Sequence, residues 1–172
     1  PWPNDSFDIC LLPELLEHVP RWEPCLDEIH RVLRPGGLLF ISTTNTLCPL
    51  QREYRLPLFS WYPSPLKRFF ARQAAGARPQ LANYATYPAV NWFNFYSLRH
   101  ALLARGFTAF WDRFDMAAAR GVAGRKAAIL AVLRWSRLAR FVGYATSPGC
   151  QIVAAKAGFA SADSAIRANA EC

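Results

Sequence analysis

Between residues 7 and 43 the chain reads FDICLLPELLEHVPRWEPCLDEIHRVLRPGGLLFIST, two short apolar runs separated by an amphipathic stretch and punctuated by proline and glycine. The turn cluster Pro3-Asn4-Asp5-Ser6 opens it, and residues 7–12 are apolar apart from Asp8, as a parallel strand covered on both faces should be. Pro13 suits a first helical position because it has no N–H to leave unpaired, and Pro20 limits that element to about two turns. After Pro24, the residues Leu26, Ile29, Val32 and Leu33 recur at spacings of three and four. That spacing lays one apolar stripe on a sheet and turns Asp27, Glu28, His30, Arg31 and Arg34 mostly outward. Pro35-Gly36-Gly37 ends the helix, and residues 38–43 are again short, apolar and partly β-branched. Strand, helix, strand in this order predicts a right-handed parallel crossover, which commits the chain to an α/β sheet.

The remainder has to complete that sheet. Residues 46–96 lose regular periodicity and fill with proline and aromatics, Trp61, Tyr62, Trp92 and Phe93 among them. A flexible linker would be polar, so this is an insertion whose aromatics must pack or meet an apolar partner. Within it Ser64-Pro65 starts a short helix through Ala75, and further on Ser97 caps a helix over 98–105 that Gly106 stops. Residues 107–114 alternate as a strand does, one helix carries Ile129 through Val142, and residues 150–155 form a last strand. Residues 1–159 make one domain and 160–172 a frayed, Ala- and Ser-rich tail. Five cysteines without CxxC spacing suggest neither a disulfide framework nor a zinc site, and reduced thiols suit a cytoplasmic protein.

Three segments in order, ELLEHVP at 14–20, RVLRPGG at 31–37 and YSLRHALLARGF at 96–107, make the chain similar to the second half of class I S-adenosylmethionine-dependent methyltransferases. The first of them resembles the post-strand segment of the ubiquinone-pathway O-methyltransferases. The resemblance implies a partial Rossmann-like, doubly wound sheet, mostly parallel, whose last strand inserts antiparallel between its two predecessors. It also implies methyl transfer from S-adenosylmethionine to a small, apolar or aromatic acceptor. The glycine-rich loop and first three strands that open such a fold have no counterpart before Pro1, so the chain is expected to be N-terminally truncated and inactive alone. The alternative is a noncatalytic interaction or anionic-membrane-surface module derived from a methyltransferase.

In an open parallel sheet, ligands lie beyond the carboxyl ends of the strands, which selects Leu12, Pro13, Glu14, His18, Thr44 and Asn45. The resemblance implies that Leu12 and Pro13 line the cofactor. Glu14, Glu17 and His18 stand at i, i+3 and i+4 on one side of a helical turn. Glu14 and His18 are the candidate catalytic pair, with His18 able to serve as base, and all three together could hold Mg²⁺ to acidify an acceptor hydroxyl. The plainer alternative makes Glu14 a helix-start charge, Glu17 solvated and His18 a packing residue. The insertion reads as a substrate lid, with Trp61, Tyr62, Trp92 and Phe93 as walls and Asn45 on the acceptor side, and as a self-contained mini-core, two readings that are compatible. The net charge of +8 falls mostly on the later part, where a helix carrying Arg125, Lys126, Arg134, Arg137 and Arg140 could meet an anionic membrane or simply pack on the sheet. No nucleic-acid motif accompanies the charge.

Overall fold

The computed structural model describes residues 2–158; the expected tail at 160–172 lies outside the described residues. Four strands, β1 (Phe7–Pro13), β2 (Leu33–Thr44), β3 (Phe107–Asp112) and β4 (Gly149–Lys156), form one sheet in the order β1-β2-β4-β3. β1 and β2 pair in parallel, while β4 runs antiparallel to both β2 and β3. The last strand therefore inserts between its two predecessors, as expected, in a mixed four-stranded α/β sheet of Rossmann-like order.

The crossover from β1 to β2 is α1 (Trp22–Val32), and its stripe of Leu26, Ile29 and Val32 is buried. The chain then enters β2 directly at Leu33, so Pro35-Gly36-Gly37 does not separate helix from strand but lies inside the strand. Phe7 pairs with Leu33 but Ile9 with Leu38, so residues 34–37 bulge out of the ladder. Glycine is required there: Gly36 has a φ of 78°, and a Cβ on Gly37 would lie 2.9 Å from the Arg34 carbonyl oxygen.

α2 (Ser64–Ala75) lies in the insertion, and α3 (Phe95–Leu103) returns the chain to the sheet. The cap of α3 is Asn94, not Ser97; Ser97 sits three residues in, its N–H donating to Asn94 Oδ1 and its Oγ accepting from the Asn94 N–H, which completes a capping box. The expected strand over 107–114 ends at Asp112, because Asp112 accepts from the Phe114 and Asp115 N–H groups and starts α4 (Arg113–Ala119). The single helix expected over 125–142 is two, α5 (Arg125–Trp135) and α6 (Arg137–Ala145). Ser136 ends the first and caps the second through its side chain.

One face of the sheet is closed. Leu39, Ile41, Ile152 and Ala154 are fully buried against Leu26, Leu98, Leu102 and Tyr144 from the helices. Tyr144 donates to Asp112 Oδ2 at 2.6 Å, and Arg140 lies 3.3 Å from the same oxygen, so the buried carboxylate is paired. The other face is not closed. Leu11, Phe40, Val153 and Trp111 form one row across the four strands, and Ile9 and Leu38 begin the next. Ile9 is 57% and Leu11 66% exposed, and a 260 Å³ hollow opens on Leu38, Trp111 and Val153. The insertion has a core of its own, in which Tyr54, Phe59, Ala71 and Ala74 are buried and Tyr62, Phe70 and Trp92 pack on them. Among the described residues no helix is long and apolar enough to cross a membrane.

Candidate functional site

Where β1 and β2 end, a crevice of about 410 Å³ opens between the strand ends and the insertion. Glu14, Thr43, Thr44, Gln51, Arg52, Glu53, Arg113 and the start of β4 from Pro148 to Gln151 line it. β4 contributes because an antiparallel strand brings its beginning to the end where its parallel neighbours finish.

Glu14 is held there by strand pairing and not by a helix. Pro13 is the last residue of β1, opposite Ser42, and the Glu14 N–H donates to the Ser42 carbonyl at 2.9 Å. Ser42 Oγ then donates to Glu14 Oε1 at 2.5 Å, so one β2 residue fixes both backbone and carboxylate. The turn that aims the side chain puts Glu14 at φ 46°, a left-handed conformation that side chains resist. The helical element expected from Pro13 shrinks to a 3-10 turn, Leu16–His18.

Glu17 lies on that turn, fully buried and not solvated. Its Oε2 accepts from Thr43 Oγ1 at 2.8 Å, while Oε1 has no partner. Its carbonyl accepts the Val90 and Asn91 N–H groups, which straps the end of the insertion onto the turn. Burial raises its carboxyl above the ordinary range, the backbone and the Thr43 hydroxyl oppose that rise, and Glu14 adds to it. Glu53, from an aperiodic stretch of the insertion, completes the group: one oxygen each from Glu14, Glu17 and Glu53 lies within 4.8 Å of the others. Burial raises the Glu53 carboxyl too, His18 lowers it and Glu14 raises it further.

His18 was expected beside Glu14 and Glu17; the cluster is closed instead by Glu53, and His18 turns its Nδ1 into the interior without a partner. Leu12 is buried and Pro13 exposed, both at the end of β1. Asn45 is fully buried, and its amide is spent on backbone: Nδ2 donates to the Tyr144 and Ser147 carbonyls and Oδ1 accepts the Leu47 N–H. It ties the end of α6 to the end of β2. Trp92 and Phe93 line a different hollow of about 400 Å³ with Trp22 and Arg68. Tyr62 packs on Phe59 and Phe70, and Trp61 is exposed with its Nε1 3.4 Å from the Leu47 carbonyl. Cys150 lines the crevice but burial pushes its thiol up to about 12, so it is no nucleophile.

Sequence reasoning missed Glu53, Arg52 and Arg113. Arg113 follows Asp112 at the end of a strand, a position the strand-end rule selects once the α4 cap is recognised. Glu53 has no local signal.

Residues 1–41 match the methyltransferase domain family. An uncharacterized methyltransferase of Mycobacterium avium (strain 104) is 49% identical over 49 residues, which is 28% of this chain and 19% of the relative. One from Mycobacterium tuberculosis (strain ATCC 25618 / H37Rv) is 47% identical over 49 residues, with the same coverage. The chain thus spans about a fifth of the length of the relatives it matches. In fold, the chain is similar to an S-adenosylmethionine-dependent methyltransferase from Mesorhizobium loti, at a TM-score of 0.50 and 17% identity over 90% of this chain and 64% of that one.

Proposed function

We propose that this chain carries part of a class I S-adenosylmethionine-dependent methyltransferase domain, and that its strand-end crevice is the acceptor side of a methyl-transfer site; the match of residues 1–41 and the shared fold support this reading. The observation that carries this reading is Glu14, a carboxylate held in an unfavourable backbone conformation and aimed into the crevice by Ser42. S-adenosylmethionine, when bound, supplies an electrophilic methyl group on a sulfonium. The chain's fit to it is partial: the carboxylates of the crevice complement a cationic sulfonium, and of the two expected cofactor residues Pro13 is exposed at the end of β1 and could line it, whereas Leu12 is buried in the core. Methyl transfer gains mainly from placing the acceptor, and Glu14 would hold the acceptor hydroxyl or amine and take its proton. The polar lining from Arg52, Glu53, Arg113 and Gln151 suits a small acceptor that presents a polar group beside an apolar or aromatic body.

The open sheet face belongs to the same reading. The apolar row from Leu11 to Trp111 and the outer edge of β1 would be covered by a glycine-loop half of the domain, and turnover would require that half. A second reading concerns the three carboxylates. Their oxygens, with Glu17 Oε1 lacking any partner, suit a hard divalent cation such as Mg²⁺, held by Glu14, Glu17 and Glu53. Such a cation would lower the pKa of an acceptor hydroxyl.

The test is turnover in the chain extended upstream by a glycine-loop half, with Glu14→Ala and His18→Ala compared against the parent. Loss of Glu14 should lower kcat by about 10²–10⁴ with S-adenosylhomocysteine affinity intact. Unchanged turnover in the Glu14 variant would remove the carboxylate from the chemistry. If the extended chain folds yet binds no S-adenosylhomocysteine, the noncatalytic module is the better account.

A further inference from the structure

Helices α5 and α6 expose an apolar arc that nothing in the fold uses. α5 has no buried residue, and Ile129, Val132 and Trp135, three apart along one side, are 59%, 55% and 89% exposed. On α6, Leu138, Phe141 and Val142 repeat the pattern at 73%, 45% and 52%. The two arcs are continuous, because Ile129, Leu138 and Val142 line one open groove between the helices. Trp135 stands at the joint, immediately before the Ser136 break.

The charge carried by α5 and α6 themselves has one sign. Residues 116–162 contain no Asp or Glu, and six of the chain's 20 Lys and Arg fall between 116 and 148. Arg134 and Arg140 are committed to Asp115 and Asp112. Arg120, Arg125, Lys126 and Arg137 form no ion pair among the described residues. Arg125 and Arg137 begin the two helices, where an unpaired cation is disfavoured by the helix dipole and gains from an external anion.

We propose that α5 and α6 form a peripheral membrane-binding surface for anionic phospholipid, apolar arc down, with Arg125, Lys126 and Arg137 at the headgroup level. A bilayer answers both halves of the observation at once: aliphatic side chains and an exposed tryptophan enter the boundary between headgroup and acyl chain, while the basic residues meet phosphate. A second copy of the chain would set two all-basic surfaces against each other. Nucleic acid would accept the charge but give Leu138 and Val142 nowhere dry to go. The groove between the helices and the strand-end crevice share no lining residue, so the inference does not rest on methyl transfer.

The test is cosedimentation of the whole chain with vesicles of phosphatidylcholine alone and of phosphatidylcholine with an equal part of phosphatidylglycerol. Binding to the anionic vesicles should exceed binding to the neutral ones by about tenfold or more at low salt and fall steeply by roughly 0.5 M salt. Trp135→Ala with Leu138→Ser should cost about tenfold in partitioning, and Arg125→Gln with Lys126→Gln and Arg137→Gln should reduce anionic binding to the neutral level. All these side chains are exposed or unpaired, and far-ultraviolet circular dichroism confirms that the variants stay folded. Equal binding to both vesicles, binding unchanged in either variant, or no vesicle binding together with a dimer that Trp135→Ala dissolves would overturn the proposal.

Discussion

Leucines 11 and 39 occupy adjacent strands of the same ladder, yet replacing each by alanine should have very different consequences. Leu39 is fully buried against the helices, while Leu11 points to the opposite face and is 66% exposed. Removing a buried leucine costs about 2–5 kcal/mol, in which lost burial and the cavity left behind both count. For Leu11 about two-thirds of the burial was never gained and no enclosed cavity forms, so roughly a third of the 1.5–3 kcal/mol of full burial is at stake, about 0.5–1 kcal/mol. Both residues lose a β-branch-free side chain from a strand interior, so propensity cancels in the comparison. Urea unfolding followed by tryptophan fluorescence reads the difference: with a slope of about 2 kcal/mol per molar, Leu39→Ala should move the midpoint by about 1–2.5 M and Leu11→Ala by about 0.25–0.5 M. Equal shifts would mean that the Leu11 face is packed in solution, and the argument that this sheet lacks one covering layer would fail. In a chain extended by a glycine-loop half, the Leu11 cost should rise toward that of Leu39.

Two further outcomes follow from buried polar groups. Tyr144→Phe removes the hydroxyl that donates to the buried Asp112 carboxylate, and thermal unfolding should fall by about 2 kcal/mol, or roughly 5 °C; a loss under about 0.5 kcal/mol would show that Arg140 and the α4 N–H groups suffice. Burial raises the Glu17 carboxyl, so its contribution is fully present below the ordinary carboxylate value and is lost as pH climbs through the raised folded value. Glu17→Gln should therefore gain on the parent as pH rises from about pH 4, the ordinary carboxylate value, through the raised folded value, whereas a difference that stays constant with pH would contradict the burial argument.

The strand-helix-strand of residues 7–43 was legible because two apolar runs and a three-and-four periodicity leave little choice of element. The antiparallel place of β4 was not legible in its residues, which read only as an apolar run; the resemblance to a family supplied it. Local signals were present for two elements that were misjudged. Asp112 and Asp115 spell a capping box that starts α4, and Ser136 is a competent N-cap that divides the long amphipathic stretch. Glu14 left the expected helix because Pro13 stays in register opposite Ser42, a tertiary pairing that overrides proline's preference for a first helical turn. The aromatic insertion has a mini-core of its own, as one of the two compatible readings expected: Tyr54 and Phe59 stack at 4.3 Å, and the Tyr54 hydroxyl reaches the Ala89 carbonyl. Glu53 could not be read from the sequence, since only the bracing of Gln51 against Tyr54 and the strap from Glu17 to residues 90 and 91 bring that aperiodic stretch over the strand ends.

We propose that this chain presents the acceptor side of a methyl-donor crevice whose other wall would come from a glycine-loop half. Calorimetric titration with S-adenosylhomocysteine tests it most directly, performed on the chain alone and on the chain extended upstream by such a half. Weak or no heat is expected from the chain alone, and saturable binding from the extended protein. Tight binding by residues 1–172 alone would contradict it, because the strand ends and the Glu14 turn would then make a complete cofactor site by themselves.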